Sequence, residues 1–576
     1  MPVSRQLLGR RLVRVVAAGT AAAVVALGLA GCGAGRRRQG SPAPGTAATT
    51  APAASSGPPV TGATLTLGLA GNPRNWNPLA AGGAGNPVTE TVASAVLPSA
   101  FVVGPDLRPV RNRALLVSAT EVSTDPQVVD YTIDPEATWS DGTPVTAADF
   151  AYTWQAESGQ QRFREAGGRA YTPASTAGYD RIASVAGGAS GPRSVVVRFS
   201  SPYPDWRALF SPLLPAQVGR KVGFDRGFTN PVSDLVSAGP FVVASWTPGV
   251  DVVLARNPAW WGRGAELSTV TVEEVPDPAT GGVSLQQGQL DAARLAFTPG
   301  AAKALRATPG LSVSTGGTAV YDDLVPNERS GPFASLALRR ALMLAVDRSA
   351  LAQLAGTEGD VGAAPVTNRA YLPGEAGYRN DTSELGHGGL VAAEALLAAN
   401  GYRRVGTTLL APDGRPVTAR LVVDTHSALT GLEVTAITSA CRALGVAVSS
   451  THAAAGSAGP ARRSGGWDLA LVARTVSAFP SSLAARYAGG SADLSGYTSA
   501  AMDALVARVD HLPDGTARTA AVNRMDALAW RDAVALPLLF EPQLLVAQSR
   551  YSGFGPSPGP DGPAWDIADW AIPSGT

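Results

Sequence analysis

Several residues in this 576-residue chain are of types that enzymes or metal sites use. Ser557 stands in GPSPG, the Gly-x-Ser-x-Gly pattern of serine hydrolases, but its flanking prolines prevent the strand-turn-helix elbow which that pattern needs. The neighbouring acids Asp322-Asp323 and Glu273-Glu274 would point to opposite faces of a strand, so they make poor acid/base pairs. The four histidines have no zinc-ligand spacing: His387, His426, His452 and His511. Because GxxxxGK is also missing, we expect no enzyme, no bound metal and no cofactor.

Cys32 is a second kind of chemical residue, because it ends an apolar run that follows four arginines. This order is typical of a secretory signal, and the run is too short to span a bilayer comfortably. Leu29-Ala30-Gly31-Cys32 resembles the bacterial lipobox, which implies cleavage before Cys32 and its diacylation. We therefore predict a signal peptide over 1–31 and an extracytoplasmic protein anchored to the outer face of the membrane. An uncleaved anchor is the alternative, and Sec rather than twin-arginine export is the default.

The segment 32–62 is rich in Pro, Ser, Thr, Ala and Gly, so we predict a disordered tether after the lipidated cysteine. Its Arg36-Arg37-Arg38 cluster either binds anionic headgroups or is a solvated charge run. The other cysteine, Cys441, lies on an apolar helical pattern and is predicted to be a core thiol.

Composition narrows the choice of partners and of architecture. The formal net charge is +1 and charged residues make up 16% of the chain, so no basic field favours nucleic acid. A chain of this length exceeds one hydrophobic core, and we expect two or more lobes. Strand and helix patterns alternate from residue 63 onward, which indicates a mixed α/β protein.

Local patterns predict individual elements. Thr146 and Asp149 have the spacing of a capping box, and Asn400-Gly401 closes a helix. We predict a short helix in DWRALFSPLLPA, one helix in VSLQQGQLDAARL and one long helix in ASLALRRALMLAVDRSALAQLA.

Ordered motifs carry a resemblance to a known family. The segment 139–150, WSDGTPVTAADF, is the most specific, and the others are NP at 77–78, SAGPF at 237–241, RNPAWWG at 256–262, LQQGQLD at 285–291, and Asn327 with LRRALMLAVDR at 338–348. They resemble family 5 of the solute-binding proteins of ABC importers, which includes oligopeptide-, dipeptide- and nickel-binding lipoproteins. Because arginine replaces lysine almost everywhere, an actinobacterial member is favoured.

The resemblance implies a periplasmic-binding-protein-like α/β fold of type II, with two lobes joined by crossing strands and an extra domain inserted in the first lobe. The implied divisions are 63–104 for the start of lobe I, 105–237 for the inserted domain, 238–322 for the second part of lobe I, 323–539 for lobe II and 540–576 for the last part of lobe I. A monomer that works with ABC permease subunits is implied as well.

The resemblance also implies ligand-binding positions. Peptide binders of this family carry an aspartate that meets the peptide's ammonium, but here Val476 stands at that place, with Arg474 nearby. Arg474 suits a carboxylate, a phosphate or sugar hydroxyls, or is a solvated loop residue. The predicted ligand-binding residues are Trp76, Asn77, Tyr321, Asn327, Arg474 and Phe479; ordinary core packing is the alternative for the aromatic ones.

The sequence is compatible with three functions. The first is a lipid-anchored solute-binding protein of an ABC importer, which captures a peptide or related small solute by lobe closure. The second is a stand-alone lipoprotein of the same fold that acts in cell-envelope glycolipid or lipoglycan assembly. The third is a serine hydrolase, which the proline-flanked Ser557 disfavours.

Overall fold

The computed structural model describes residues 62–165, 167–359, 363–425, 427–453, 466–488 and 494–573. The predicted signal peptide, the lipidated Cys32 and the tether up to residue 61 lie outside the described residues, and so does His426. Within the described residues, no helix is both long and apolar enough to cross a membrane.

The first part of the chain supplies most of one lobe and, as its last element, a strand of the other lobe's sheet. Its elements are β1 (Thr64–Leu69), α1 (Pro87–Val96), β2 (Phe101–Val103), β3 (Pro109–Arg111), β4 (Leu116–Thr124), β5 (Gln127–Ile133), α2 (Ala147–Glu157), β6 (Ile182–Gly188), β7 (Gly191–Phe199), α3 (Ala216–Val222), α4 (Pro231–Asp234), β8 (Phe241–Thr247), β9 (Asp251–Arg256), β10 (Thr269–Glu274), α5 (Pro278–Gln286), β11 (Ala292–Ala296), α6 (Pro299–Arg306), β12 (Leu311–Ser314) and β13 (Gly317–Pro326).

The rest of the chain forms the other lobe and then returns. Its elements are α7 (Leu336–Ala345), α8 (Arg348–Gly359), α9 (Gly389–Ala399), β14 (Arg403–Val405), β15 (Thr408–Leu410), β16 (Thr418–Asp424), α10 (Thr430–Leu444), β17 (Ala447–His452), β18 (Leu469–Thr475), α11 (Ser481–Tyr487), α12 (Ala500–Val509), α13 (Thr516–Arg531) and β19 (Leu536–Gln548). Short 3-10 turns lie between several of them, the last at Gly562–Asp569.

Each lobe is built on its own set of strands. In the first lobe the order is β11-β1-β10-β9-β8, with β1 parallel to both of its neighbours. A separate antiparallel sheet of order β4-β5-β7-β6 lies in the region between β3 and β8. In the second lobe the order is β17-β16-β18-β13, with β16 parallel to β17 and β18.

Two strands, β13 and β19, connect these sheets. The first half of β19 pairs with β13, where Leu324 stands opposite Leu536 and Tyr321 opposite Phe540. The second half of β19 pairs with β11 and β12 of the first lobe. Because β19 belongs to both sheets, it is a crossing strand between the lobes, as the resemblance implied.

Buried apolar side chains divide in the same way. One large cluster fills the first lobe and includes Trp139 and Phe150, whereas another lies under the second-lobe sheet and includes Cys441. Cys441 is fully buried in α10, and burial raises the pKa of its thiol to about 12. The predicted core thiol is confirmed.

Some local predictions are confirmed and others are wrong. Thr146 and Asp149 form the predicted capping box, and Asn400 caps α9. The long helix predicted over 334–355 is two helices, because Val346 is extended between α7 and α8. The helix predicted in VSLQQGQLDAARL ends at Gln286. The last residues of that segment belong to β11, where strands β1 and β19 supply backbone hydrogen-bond partners on both sides. In DWRALFSPLLPA only a single 3-10 turn, Trp206–Ala208, is formed.

Candidate functional site

A cavity of about 840 Å³ lies between segments of the two lobes. Residues 105–109, Pro204, Asp205 and Arg207 line it from the first lobe. Residues 371–377, 477–480, Asp514, Gly515, Arg518 and Thr519 line it from the second lobe. Its volume suits a small molecule or short peptide, since ligand cavities typically measure some 300–1,000 Å³.

An apolar cluster adjoins this cavity. Leu107 and Phe479 line the cavity and pack with Val103, Val366 and the two crossing-strand residues Tyr321 and Phe540. The rings of Tyr321 and Phe540 are 6.1 Å apart in an edge-on arrangement. Because Val103 and Leu107 come from the first lobe, this cluster joins both lobes at the crossing strands.

An ion-pair network bridges the lobes at another side of the cavity. Arg518 of α13 donates to both carboxylate oxygens of Asp205, with an Nη2–Oδ2 distance of 2.8 Å, and the two side chains are only 2% and 3% exposed. The backbone N–H of Ser481 donates to the same carboxylate at 2.7 Å, and Arg518 also donates to the Ser481 hydroxyl at 2.9 Å. Asp205 is thus satisfied by three donors from the second lobe.

Two more pairs extend the network. Arg207 lies 2.9 Å from Asp514, and Arg181 lies 2.6 Å from Asp510. Asp514 also accepts from Arg518 at 2.9 Å. Burial pushes the pKa of Arg518 down, but the hydrogen bonds and charges of Asp205 and Asp514 outweigh it and raise that pKa.

Glu375 is an acid of the cavity wall that lies outside this network. It lies in the lining loop 371–377, and its Oε1 is buried without a hydrogen-bond partner. Burial raises the pKa of Glu375 to about 7; the charge of Asp106 adds to this, while the backbone of Leu372 and the charge of Arg108 oppose it.

Val476 occupies the position at which peptide binders of the family carry the aspartate. Its side chain is buried in the apolar cluster, and its backbone N–H donates to the carbonyl of Ala319 at 2.8 Å. A carboxylate in this environment would be desolvated without a partner, so the apolar side chain fits its surroundings.

Of the six predicted ligand-binding residues, Phe479 lines the cavity and Tyr321 lies behind it in the apolar cluster. The Tyr321 hydroxyl accepts a hydrogen bond from Arg486 at 2.7 Å. Arg474 stands opposite Tyr321 on β18 beside a second, much smaller cavity that Asp323 and Arg486 also line. Burial, together with the charge of Arg486, lowers the pKa of Arg474, and its Nε has no hydrogen-bond partner.

The other three predicted residues lie away from the cavity wall. Trp76 is fully buried in the first-lobe core, 5.7 Å from the ring of Trp246. Asn77 is also fully buried and donates to the carbonyl of Phe224 at 3.0 Å. Asn327 donates to the carbonyl of Trp467 at 3.2 Å in the second lobe. These contacts stabilise the local backbone conformation. A ligand-binding role for these residues stays a prediction.

Ser557 is buried in a loop, where its hydroxyl accepts from the backbone N–H of Gly559 at 3.2 Å. Within the described part of the chain, no three His, Cys, Asp or Glu side chains are grouped so that they would hold a metal ion.

Sequence reasoning missed Asp205, Arg518 and Glu375. Asp205 and Arg518 are 313 residues apart, and no local pattern links them. Glu375 stands in a Pro-Gly-rich loop, which marks a turn without showing what the loop faces.

Known proteins of one family are similar to this chain. The profile described as bacterial extracellular solute-binding proteins, family 5 Middle, matches residues 112–493. The oligopeptide-binding protein OppA of Mycobacterium tuberculosis is 32% identical over 510 residues, covering 86% of this chain and 82% of OppA. The probable monoacyl phosphatidylinositol tetramannoside-binding protein LpqW of the same organism is 29% identical over 407 residues, covering 69% of this chain and 60% of LpqW.

Solved structures agree on the fold. The periplasmic EDTA-binding protein EppA superposes with a TM-score of 0.81 at 27% identity, covering 90% of this chain and 97% of EppA. The oligopeptide-binding protein AppA from Bacillus subtilis, solved with a nonapeptide, superposes with a TM-score of 0.68 at 17% identity, covering 89% of this chain and 99% of AppA. The chain therefore has the two-lobed fold of periplasmic solute-binding proteins.

Proposed function

The chain belongs to family 5 of the bacterial extracellular solute-binding proteins, and from this premise we propose that it is the lipid-anchored peptide-binding subunit of an ABC importer. It captures a peptide, or a small solute of similar chemistry, by closure of its lobes and delivers it to permease subunits. Diacylated Cys32 holds the protein, as a monomer, on the outer face of the cell membrane.

The observation that carries this proposal is the cavity of about 840 Å³ whose wall both lobes supply. A ligand between the lobes contacts both at once, and it therefore stabilises the closed arrangement over any arrangement in which the lobes are apart. The apolar cluster with Phe479 and Leu107 offers a surface for side chains, and the backbone edges of the lining loops offer hydrogen bonds.

A second function is favoured by one particular similarity, that to LpqW. In this alternative the protein keeps the fold but acts in envelope glycolipid assembly without a permease. Val476 in place of an acid supports it, because a glycolipid brings no ammonium group to the cleft.

Native mass spectrometry distinguishes the two functions. The chain from Gly33 onward, produced without the lipid and purified without refolding, is sprayed under gentle conditions and the released small molecules are weighed. We expect a series of peptide masses. A mannosylated lipid would favour the envelope function, and an empty protein that also fails to bind added peptides would contradict the importer proposal.

A further inference from the structure

Among the acidic side chains of the cavity wall, one differs from the others in its charge contacts. Asp205 is bonded to Arg518, and Asp514 is bonded to Arg207 and Arg518. Asp106 lies 4.0 Å from Arg108, with both side chains mostly exposed. Glu375 forms no ion pair with any residue that the structure describes, and its Oε1 is buried without a hydrogen bond.

The loop that carries Glu375 is held firmly in place. The N–H of Glu375 donates to the carbonyl of Leu372 at 3.1 Å, and the carbonyl of Glu375 accepts from Tyr378 at 3.0 Å. Asn523 of α13 donates to the carbonyl of Gly377 at 2.8 Å, which ties the loop to the second lobe. The carboxyl group is therefore presented from a fixed backbone, as binding groups must be if their position is to be specific.

Glu375 is partly buried and one of its carboxylate oxygens has no hydrogen-bond partner, which is unfavourable, and a cation from the ligand would relieve this. We propose that Glu375 receives the cationic group of the ligand, an ammonium or a guanidinium, and so takes the place of the aspartate that the sequence lacks. This inference rests on the proposed peptide-binding function and names the chemistry of its ligand. The positive group comes either from the peptide's amino terminus or from a lysine or arginine side chain.

Three peptide libraries test the proposal on the full mature chain held on a support. The first library has free amino termini and no Lys, Arg or His. The second is N-acetylated and carries one Lys in each peptide, and the third is N-acetylated without Lys, Arg or His. Retained peptides are quantified by mass spectrometry for the wild type and for Glu375→Gln, Glu375→Asp and Asp413→Asn.

We expect the wild type to retain the first or second library, which identifies the source of the cation, and to retain the third at least tenfold less. Glu375→Gln lowers the affinity for the cationic peptides about tenfold or more, because a charge-assisted hydrogen bond is lost. Glu375→Asp keeps part of that affinity. Asp413→Asn is the control, since it removes an exposed acid that lies outside the cavity wall, and it changes affinity less than twofold.

Two results would overturn the inference while the peptide-binding function stands: equal retention of all three libraries, or a Glu375→Gln protein that binds as the wild type does. If the wild type retains none of the libraries, the peptide-binding function itself fails, and the inference fails with it. Thermal unfolding of each variant confirms that the compared proteins are folded.

Discussion

Replacing Asp205 by Asn removes one charge from the bridge between the lobes and nearly conserves the shape of the side chain. Arg518 then remains buried, and it keeps the Ser481 hydroxyl and Asp514 as partners at 2.9 Å each and the carbonyl of Val509 at 3.3 Å. Removing one partner of a buried ion pair typically costs about 3–5 kcal/mol, because the other charge is left uncompensated. Since Asp514 continues to compensate Arg518, we expect a loss of roughly 3 kcal/mol for Asp205→Asn, at the lower end of that range.

This loss weakens the contact between the lobes, because every donor to the Asp205 carboxylate comes from the second lobe. The closed arrangement becomes less populated, and the apparent affinity for any ligand held between the lobes falls by about a hundredfold. Small-angle X-ray scattering of the unliganded protein should show a larger radius of gyration for Asp205→Asn than for the wild type. Calorimetric titration with a retained peptide measures the affinity.

Asp514→Asn is the matched control, because Asp514 also bonds Arg518 but its side chain is 56% exposed. An exposed ion pair contributes about 0–1 kcal/mol, so this variant should change affinity by less than about fivefold. Equal effects of Asp205→Asn and Asp514→Asn would refute the reasoning, since burial would then not distinguish the two pairs.

Three further outcomes follow from particular contacts, and one follows from a pKa. Because the pKa of Glu375 is raised to about 7 by burial, affinity for a lysine-containing acetylated peptide should rise from pH 6 to pH 8 in isothermal titrations, as Glu375 ionises, and stay flat in Glu375→Gln. In the chain without Cys32, a thiol reagent should label Cys441 only after unfolding in urea, because the side chain is fully buried. Asp526→Asn should lower the free energy of unfolding by about 3–5 kcal/mol in urea titrations, since it leaves Arg369 uncompensated in a pair that is 0% exposed on both sides. Thr146→Ala should cost about 1 kcal/mol in the same titration, because α2 loses its cap.

Interactions between near neighbours in sequence were predictable. Thr146 and Asp149 of the capping box are three positions apart, so their spacing in the sequence is enough to predict the contact. In contrast, the segment at Ala292–Ala296 has a helical pattern but forms a strand, because β1 and β19, which are distant in sequence, supply its hydrogen-bond partners. Tertiary pairing of this kind overrides local preference, and a single sequence does not display it.

The candidate site was harder to predict for the same reason. Of the aromatic residues chosen by resemblance to the family, Phe479 lines the cavity, whereas Trp76 is buried in the core. An aromatic residue in a loop satisfies both environments, and only the packing around it decides between them. Asp205 and Arg518 become recognisable as partners only when the lobes are seen together.

Closure of the lobes and selectivity for cationic ligands depend on different charged residues of the cavity wall. Asp205, Arg518 and their neighbours are bonded to one another across the lobes, so their contribution to closure is the same whichever ligand is present. Glu375 forms no ion pair across the lobes with any described residue, so its charge can respond to the charge of the ligand. Asp205→Asn should therefore lower the affinity for all ligands by a common factor, while Glu375→Gln lowers the affinity for cationic ligands alone. Because the two groups share no partner, their effects on the free energy of binding should add in the double variant to within about 0.5 kcal/mol. A larger deviation would mean that the ligand's cation reaches the bridging network, and that closure and selectivity depend on the same charges.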